Sequence, residues 1–308
     1  MSEPEGARPD TGRAVSDADA VFEAERPRLT GLAYRMSGTL SDAEDVVQEA
    51  WLRWQRTDHR EIRNPAAWLT TVTSRLALDR LRAQRRRREE YVGPWLPEPI
   101  LTESTSLADD DPAQAAELAE SVTLGFLVVL DRLGPIERAV FLLADVFGEP
   151  FADIAAVVDR SPEACRQIAS RARRKVRAER EPSVPVDESL LADLMGAVVV
   201  GDVDRVISLL SPEVVLVSDG GPNRRAARRP VLGPAKVARL LVNLAQRMPA
   251  DGDIAFEHVN GGPALVVRSE ELTCAVTADR DEHGVVATVR VLINPDKLAG
   301  LDHPVELS

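Results

Sequence analysis

Aromatic residues, cysteines and long apolar runs are all scarce in this sequence. Aromatic side chains make up 4% of the 308 residues, which leaves little material for an aromatic ligand cage. The longest apolar stretches, such as the GAVVV that ends at Val200, are far shorter than the roughly 20 residues of a membrane-spanning helix. The start, MSEPEGARPDTGR, lacks the basic-then-apolar pattern of a signal peptide. We therefore expect a cytoplasmic protein without membrane contact.

The two cysteines, Cys165 and Cys274, lie far apart and have neither metal-ligand spacing nor the pattern of a disulfide framework. We expect both to be buried small side chains, and we expect no metal site and no cofactor. A hydrophobic content of 44% with 29% charged residues is typical of a globular protein. The length predicts more than one domain, at roughly 100 to 200 residues each, and we expect three.

Positive charge is concentrated in two places, although the net charge of the chain is -12. One cluster runs from Arg80 to Arg88 and the other from Arg171 to Arg177, and acidic runs such as ADDD lie between them. Two basic patches separated by an acidic spacer suggest two contacts on one polyanion, because binding to nucleic acid depends on local charge. The alternative is a pair of solvated helix ends.

Breaks in composition divide the chain into five stretches. They are a disordered tail at 1–18, a helical domain at 19–90, a linker at 91–115, a second helical domain at 116–180 and a domain of helices and β-branched strands at 181–308. The linker contains the apolar stretch WLPEPI. Exposed Trp and Leu side chains normally pack somewhere, so we expect Trp95 and Leu96 to dock on the C-terminal domain.

Two helices are predicted in the first helical domain from their capping residues. SDAEDVVQEAWLRW opens with Ser41, and Glu44 follows three residues later, which predicts a capping box. Asn64 and Pro65 are typical of the start of the next helix, which ends in arginines. The apolar face predicted for the first of these helices consists of Ala43, Val46, Val47, Ala50 and Trp54.

PFADIAAVVDRSPEACRQIASRARRKVRA has the layout of a helix-turn-helix, with Asp159 in the turn and Ser161 capping the second helix. We expect Asp159 to adopt the left-handed conformation that the turn needs. The inner face of the second helix is predicted to be Cys165, Ile168, Ala169, Ala172 and Val176. The outer face is predicted to carry Arg166, Gln167, Ser170, Arg173, Arg174 and Arg177, residue types that bind phosphates and base edges in a major groove.

LDRLGPIERAVFLLADVFGEPFADIAAVVDRSPEACRQIASRARRKV resembles region 4 of the extracytoplasmic-function (ECF) sigma factors, and SDAEDVVQEAWLRW resembles their polymerase-docking helix in region 2. The resemblance implies RNA polymerase core and promoter DNA as partners. In family terms, the positions that meet the β′ clamp helices of polymerase are Asp45, Gln48 and Glu49. Those implied for the minus-ten element are Arg75, Asp79, Arg80 and Arg82. Those implied for the minus-thirty-five element are Arg166, Gln167, Ser170, Arg171, Arg173 and Arg174.

The last 120 or so residues resemble the SnoaL-like α+β cone. Together with WLPEP, DGGPNRRAARRPVLG and NPDKL they are similar to the ECF41 subgroup, in which such a domain modulates the sigma factor. The fold expected is therefore two all-α sigma domains, the second with a helix-turn-helix, followed by an α+β cone. The regulatory contacts implied are Trp95, Leu96, Asp219, Gly220, Gly221, Asn294, Pro295, Asp296, Lys297 and Leu298. Asp296 and Lys297 are expected to project from the edge of the cone towards a neighbouring domain.

Two alternatives remain open from the residues. The chain could be a helix-turn-helix repressor whose C-terminal domain binds a ligand or catalyses a reaction, with acid–base candidates Asp219, Glu257, His258 and His283. We expect no catalytic residue, since no tyrosine suited to stabilising an oxyanion lies in that domain. The arginines of DGGPNRRAARRP fit an anion or DNA contact and a mobile solvated loop equally well.

Overall fold

The computed structural model describes residues 17–88, 91–102, 121–179, 184–249, 252–305 and 307. Most of the expected tail and the acidic stretch of the linker lie outside the described residues. Within the described part, no helix has both the length and the apolar character needed to cross a membrane.

The first helical part contains α1 (Asp17–Ser37), α2 (Leu40–Gln55), a short 3₁₀ turn (His59–Glu61) and α3 (Pro65–Arg88). The five residues predicted for the apolar face of α2 are the ones that this helix buries. At the start of α3, Asn64 Oδ1 accepts the Ala67 N–H at 3.1 Å, so the predicted cap is confirmed. The three helices close around a common core in which Phe22, Trp54 and Leu69 are almost fully buried.

The capping box predicted at Ser41 is wrong. Helix α2 begins one residue earlier, at Leu40, and its N-cap is Thr39, whose side chain makes no capping bond to the backbone. Glu98 of the linker caps the helix instead, because its Oε2 accepts the Leu40 N–H at 2.7 Å. A carboxylate is favoured at this position, where the free N–H groups of the first turn carry partial positive charge.

The second helical part contains α4 (Leu124–Leu130), α5 (Pro135–Phe141) with a π-helical extension (Leu142–Val146), α6 (Phe151–Val158) and α7 (Pro162–Glu179). Helices α6 and α7 form the predicted helix-turn-helix. Asp159 has φ of 54° at the end of α6, and Ser161 Oγ accepts the Ala164 N–H at 3.1 Å at the start of α7. Cys165, Ala169 and Ala172 are fully buried on the inner face, as predicted.

The C-terminal part is an α+β domain, as expected. Its helices are α8 (Glu188–Val200), α9 (Val203–Leu209) and α10 (Pro234–Ala245). Its strands are β1 (Val184–Pro185), β2 (Leu210–Asp219), β3 (Val231–Leu232), β4 (Asp253–Val259), β5 (Gly262–Arg268), β6 (Thr273–Arg280) and β7 (Val286–Leu292). They form one sheet in the order β3-β2-β7-β6-β5-β4, and β1 pairs with β6. Among these described strands, β2 and β7 pair in parallel and the other pairs are antiparallel. Two 3₁₀ turns follow, Pro295–Lys297 and Ala299–Leu301.

The two faces of this sheet are covered by different parts of the chain. On β7, Val289 and Val291 belong to one core together with residues of α8, α9 and α10, whereas Leu292 belongs to another. This alternation is the period of two that a strand imposes. The second core also contains Leu96 of the linker and Leu124 of α4. The C-terminal domain therefore shares a hydrophobic core with the linker and the second helical part.

Candidate functional site

The predicted polymerase-binding residues lie along one groove between α2 and α3. The groove has a volume of about 500 Å³ and is lined by Asp45, Gln48 and Glu49, and by Leu52, which is 42% exposed. Arg80, implied by the resemblance for promoter contact, donates to Asp45 Oδ2 at 2.6 Å across the same groove. The structure thus brings the predicted docking face and part of the predicted minus-ten face together.

The other residues predicted to contact the minus-ten element lie on α3. Arg82 donates to Asp79 at 3.0 Å, and both side chains are exposed. Arg75 instead points to the helix-turn-helix, where its Nη2 donates to the backbone oxygen of Ala156 in α6 at 2.8 Å. Arg75 is exposed and is engaged with the second helical part, and its contact with the minus-ten element stays a prediction.

Five of the six residues predicted to contact the minus-thirty-five element form a shallow groove on the outer face of α7. They are Arg166, Gln167, Ser170, Arg171 and Arg174. Arg173 is not in this groove: it is partly exposed and donates to Asp145 Oδ1, in the extension of α5, at 2.8 Å. Its contact with the minus-thirty-five element stays a prediction.

A buried carboxylate joins the linker to the C-terminal domain. Asp219, at the end of β2, is 1% exposed and accepts hydrogen bonds from the Tyr91 hydroxyl at 2.5 Å, the Leu96 N–H at 2.8 Å and the Gly221 N–H at 3.1 Å. Its Oδ2 also lies 2.7 Å from Lys297 Nζ. We call Tyr91, Leu96, Asp219, Asn294 and Lys297 the linker clasp.

Lys297 is the second charged member of the linker clasp. Its ammonium donates to the Leu96 carbonyl at 2.6 Å and lies over the rings of Trp95, at 3.9 Å, and Tyr91, at 4.9 Å. The expectation that it projects from the edge of the domain is wrong, because Lys297 is 7% exposed. Burial and the bond to Asp219 raise the pKa of Tyr91 well above its ordinary value, so its hydroxyl stays a donor.

Tight packing beside the linker clasp explains why two glycines, Gly220 and Gly221, follow Asp219. A side chain at Gly221, which has φ of 58°, would place its Cβ 2.7 Å from the Asn294 amide, and one at Gly220 would meet the Arg224 carbonyl at 2.8 Å. Asn294 donates to the Tyr91 hydroxyl at 2.8 Å and accepts the Asp296 N–H at 3.2 Å. The remaining members predicted here divide by exposure: Pro295 and Asp296 are exposed, and Leu298 is buried in the core that holds Leu96.

A second buried contact joins four segments through the side chain of Asn260, in the β4–β5 turn. This amide donates to the Tyr34 hydroxyl of α1 at 2.6 Å and to the Val122 carbonyl at 2.9 Å, and it accepts the Ile100 N–H at 3.1 Å. Asn260 has φ of 53° and is 1% exposed. We call this set the Asn260 junction, and it connects both helical parts and the linker to the C-terminal domain.

Glu98 fastens the linker to the first helical part. Besides capping α2, it donates its N–H to the Gly38 carbonyl at 2.9 Å and accepts the Tyr34 hydroxyl on its own carbonyl at 2.7 Å. Burial raises the pKa of its carboxyl to about 7, against the opposing effect of the N–H groups of Leu40 and Ser41. This group therefore titrates near neutral pH.

The four acid–base candidates do not converge on one site. Asp219 is occupied by the linker clasp, and Glu257 forms a bidentate pair with Arg268 at 2.7 and 2.8 Å. His258 Nε2 lies 3.8 Å from Glu188, and His283 is 78% exposed in the β6–β7 turn. Leu96, Leu124 and Leu298 pack against the sheet in the core that contains Leu292 of β7.

The sequence analysis did not predict the roles of Tyr91 in the linker clasp, of Glu98 as a helix cap or of Asn260 in the Asn260 junction. For Tyr91 and Asn260, however, the sequence contained local patterns that could have indicated them. Tyr91 stands four residues before Trp95 in the same apolar linker stretch, and Asn260 opens an Asn-Gly turn, the strongest short signal for a hairpin. Nothing local to Glu98 indicated that it would cap a helix 58 residues away.

Comparison with known proteins agrees with this architecture. Residues 21–87 match the model of sigma-70 region 2, and residues 125–176 match sigma-70 region 4. The chain is 42% identical, over 91% of its length and 92% of the relative, to the ECF RNA polymerase sigma factor SigJ of Mycobacterium tuberculosis. It is 34% identical to the probable ECF sigma factor SigI of the same species, over 91% of this chain and 94% of SigI. The crystal structure of SigJ superposes with a TM-score of 0.72 at 37% identity, covering 91% of this chain and 98% of that one.

A sigma-70 region 2 domain followed by a sigma-70 region 4 helix-turn-helix defines a transcription initiation factor, a role that implies RNA polymerase and promoter DNA as partners. The chain belongs to the ECF sigma factors of bacterial RNA polymerase.

Proposed function

We propose that the C-terminal domain of this sigma factor holds the two helical parts in a closed form that cannot read a whole promoter. In this proposal residues 19–90 dock on polymerase and read the minus-ten element. Residues 116–180 read the minus-thirty-five element, and residues 181–308 regulate the other two parts without catalysis. The protein acts in the cytoplasm, where its polymerase is. Asp45, Gln48 and Glu49 meet the β′ clamp helices.

The observation that carries the proposal is the contact between α3 and the helix-turn-helix, where Arg75 Nη2 is 2.8 Å from the Ala156 oxygen. Promoter elements named for positions -10 and -35 are about 25 base pairs apart, or about 85 Å at 3.4 Å per base pair. Helix α7 has 18 residues and is therefore about 27 Å long. Because α3 packs against α6, the helix that precedes α7, the two reading helices are held too close together to span that distance, so the helical parts must separate.

The C-terminal domain opposes that separation at two places. The Asn260 junction joins Tyr34 of the first helical part to Val122 at the start of the second. The shared core packs Leu124 of α4 against the sheet beside Leu96 of the linker. Because these contacts tie both helical parts and the linker to one domain, breaking them removes the restraint that the C-terminal domain supplies.

In-vitro transcription with purified core polymerase tests the proposal. We would compare the full chain, a truncation after Arg180 and a truncation just before Asn294, and we expect promoter-specific transcripts to depend on the added chain and to change with truncation. Equal activity in all three would contradict a regulatory role for the C-terminal domain. Specific DNA binding without any dependence of transcription on the chain would instead favour the repressor.

A further inference from the structure

We infer that the loop between β2 and β3 binds the phosphate backbone of DNA through Arg225, Arg228 and Arg229. These three side chains are exposed, and within the described residues none of them forms an ion pair. In a chain with a net charge of -12, three cations within five residues form a locally positive surface. Guanidinium groups bind phosphate oxygens in a bidentate manner, which makes this surface suited to a polyanion.

The loop is held in place by hydrogen bonds of its backbone and of the Ser218 and Arg224 side chains, which argues against a mobile solvated segment. Ser218 Oγ accepts the Ala227 N–H at 2.9 Å, and the Arg224 N–H donates to the Gly220 carbonyl at 3.1 Å. The Arg224 guanidinium donates to the Glu271 carbonyl at 2.5 Å, so it belongs to the anchor and not to the free cations. An anchored loop presents its remaining arginines at lower entropic cost than a flexible one.

The position of the loop relative to α3 points to DNA as its partner. The loop lines a groove of about 380 Å³ together with Val92, Gly93 and Pro94 of the linker, and a Cβ at Gly93 would lie 3.6 Å from the Arg228 Cα. Gly93 is five positions after Arg88, the last residue of α3, which is at most about 18 Å of extended chain. A duplex presents a phosphate on each strand every 3.4 Å, so the end of α3 and the linker residue beside the loop are separated by no more than about five base pairs along a bound duplex.

The loop therefore extends the basic surface of α3, which carries exposed Arg82 and Arg85. Two glutamates, Glu89 and Glu90, stand between them in the sequence, outside the described residues. The linker clasp fixes the linker to the C-terminal domain beside the loop, through Asp219 and Leu96. That anchor keeps the loop near the end of α3, and the inference rests on the DNA contact proposed for that helix.

The test is binding of the full chain to a fluorescent duplex of mixed sequence, measured by anisotropy over a series of salt concentrations. The loop variant carries Arg225→Ala, Arg228→Ala and Arg229→Ala together. The control carries Lys236→Ala, Arg239→Ala and Arg247→Ala, three exposed cations on or just after α10, which covers the other face of the sheet. Both variants change the net charge equally, so a difference between them reports position rather than total charge.

We expect the loop variant to bind more weakly at low salt and to show a salt slope reduced by between about 1 and 3, at roughly one for each phosphate that is no longer neutralised. The control should retain most of the slope of the unaltered chain. Equal weakening in the two variants, an unaffected loop variant, or failure of the unaltered chain to bind the duplex would overturn the inference. Loss of polymerase binding with unchanged DNA binding would identify an acidic protein surface as the partner instead. Transcription with core polymerase is scored separately, so the sigma function can stand if this inference fails.

Discussion

Replacing Lys297 by methionine tests the linker clasp most sharply. Methionine keeps the length of the apolar stem but removes the ammonium that pairs with Asp219 at 2.7 Å and donates to the Leu96 carbonyl at 2.6 Å. Asp219 is then left as a buried carboxylate without its cation. Breaking a buried pair in this way costs about 3 to 5 kcal/mol. Asp219 keeps three other donors, so we expect the lower end, about 3 kcal/mol, or roughly 100-fold in the equilibrium that fastens the linker.

Urea unfolding of the full chain measures this destabilisation, and Lys236→Met, an exposed lysine on α10, is the matched control. We expect Lys297→Met to lower the unfolding midpoint clearly and Lys236→Met to leave it nearly unchanged. Adding Asp219→Asn to Lys297→Met should recover part of the stability, because the second change removes the uncompensated charge. An unfolding midpoint for Lys297→Met equal to that of the control would show that the clasp is not held by this pair. The same conclusion would follow if Asp219→Asn destabilised the Lys297→Met chain by as much as it destabilises the unaltered chain.

Three further changes probe the other contacts. Glu98→Gln should remove a pH dependence of stability. Because the pKa of Glu98 is raised to about 7, the folded form holds a proton that the unfolded form releases. The contribution of Glu98 to stability is therefore fully present below the ordinary value of 4.5 and is lost as pH rises to about 7. Thermal melts from pH 5 to 8 should therefore show less decline for Glu98→Gln than for the unaltered chain, and parallel curves would refute this. Asn260→Gly keeps the left-handed backbone but deletes three buried side-chain hydrogen bonds. It should therefore lower the thermal midpoint and make the linker more sensitive to protease. An unchanged cleavage rate would count against the Asn260 junction. Arg166→Ala should weaken minus-thirty-five recognition by about 1 to 3 kcal/mol in gel shifts with polymerase. Arg173→Ala should weaken it less, because the native Arg173 guanidinium is bound to Asp145. A larger loss for Arg173→Ala than for Arg166→Ala would contradict this order.

Local patterns in the sequence predicted the helical elements well because their causes are local. The apolar face of α2, the Asn64 and Ser161 caps and the left-handed Asp159 all follow from residues within one or two turns of each other. The same holds for the strands, whose alternation assigns Val291 and Leu292 to opposite faces.

Contacts between distant segments were predictable only in outline. The apolar linker stretch correctly indicated that Leu96 docks on the C-terminal domain, but not that a buried Asp219 receives it. The start of α2 was wrongly predicted because its cap, Glu98, comes from another part of the chain. The bond of Arg173 to Asp145 was not predictable for a similar reason, since the acid lies outside its helix. Burial of a charged group depends on partners that only the fold brings together.

The central claim, that the C-terminal domain keeps the two helical parts together, is tested most directly by the distance between them in solution. Dyes at Arg56→Cys, after α2, and Asp153→Cys, on α6, would report it, since both positions are exposed and the natural Cys165 and Cys274 are buried. The account predicts high energy transfer in the free full chain, a lower value after truncation at Arg180, and the lowest in the complex with polymerase and promoter, where the DNA elements are about 85 Å apart. Equal transfer in the free full chain and in the promoter complex would contradict it.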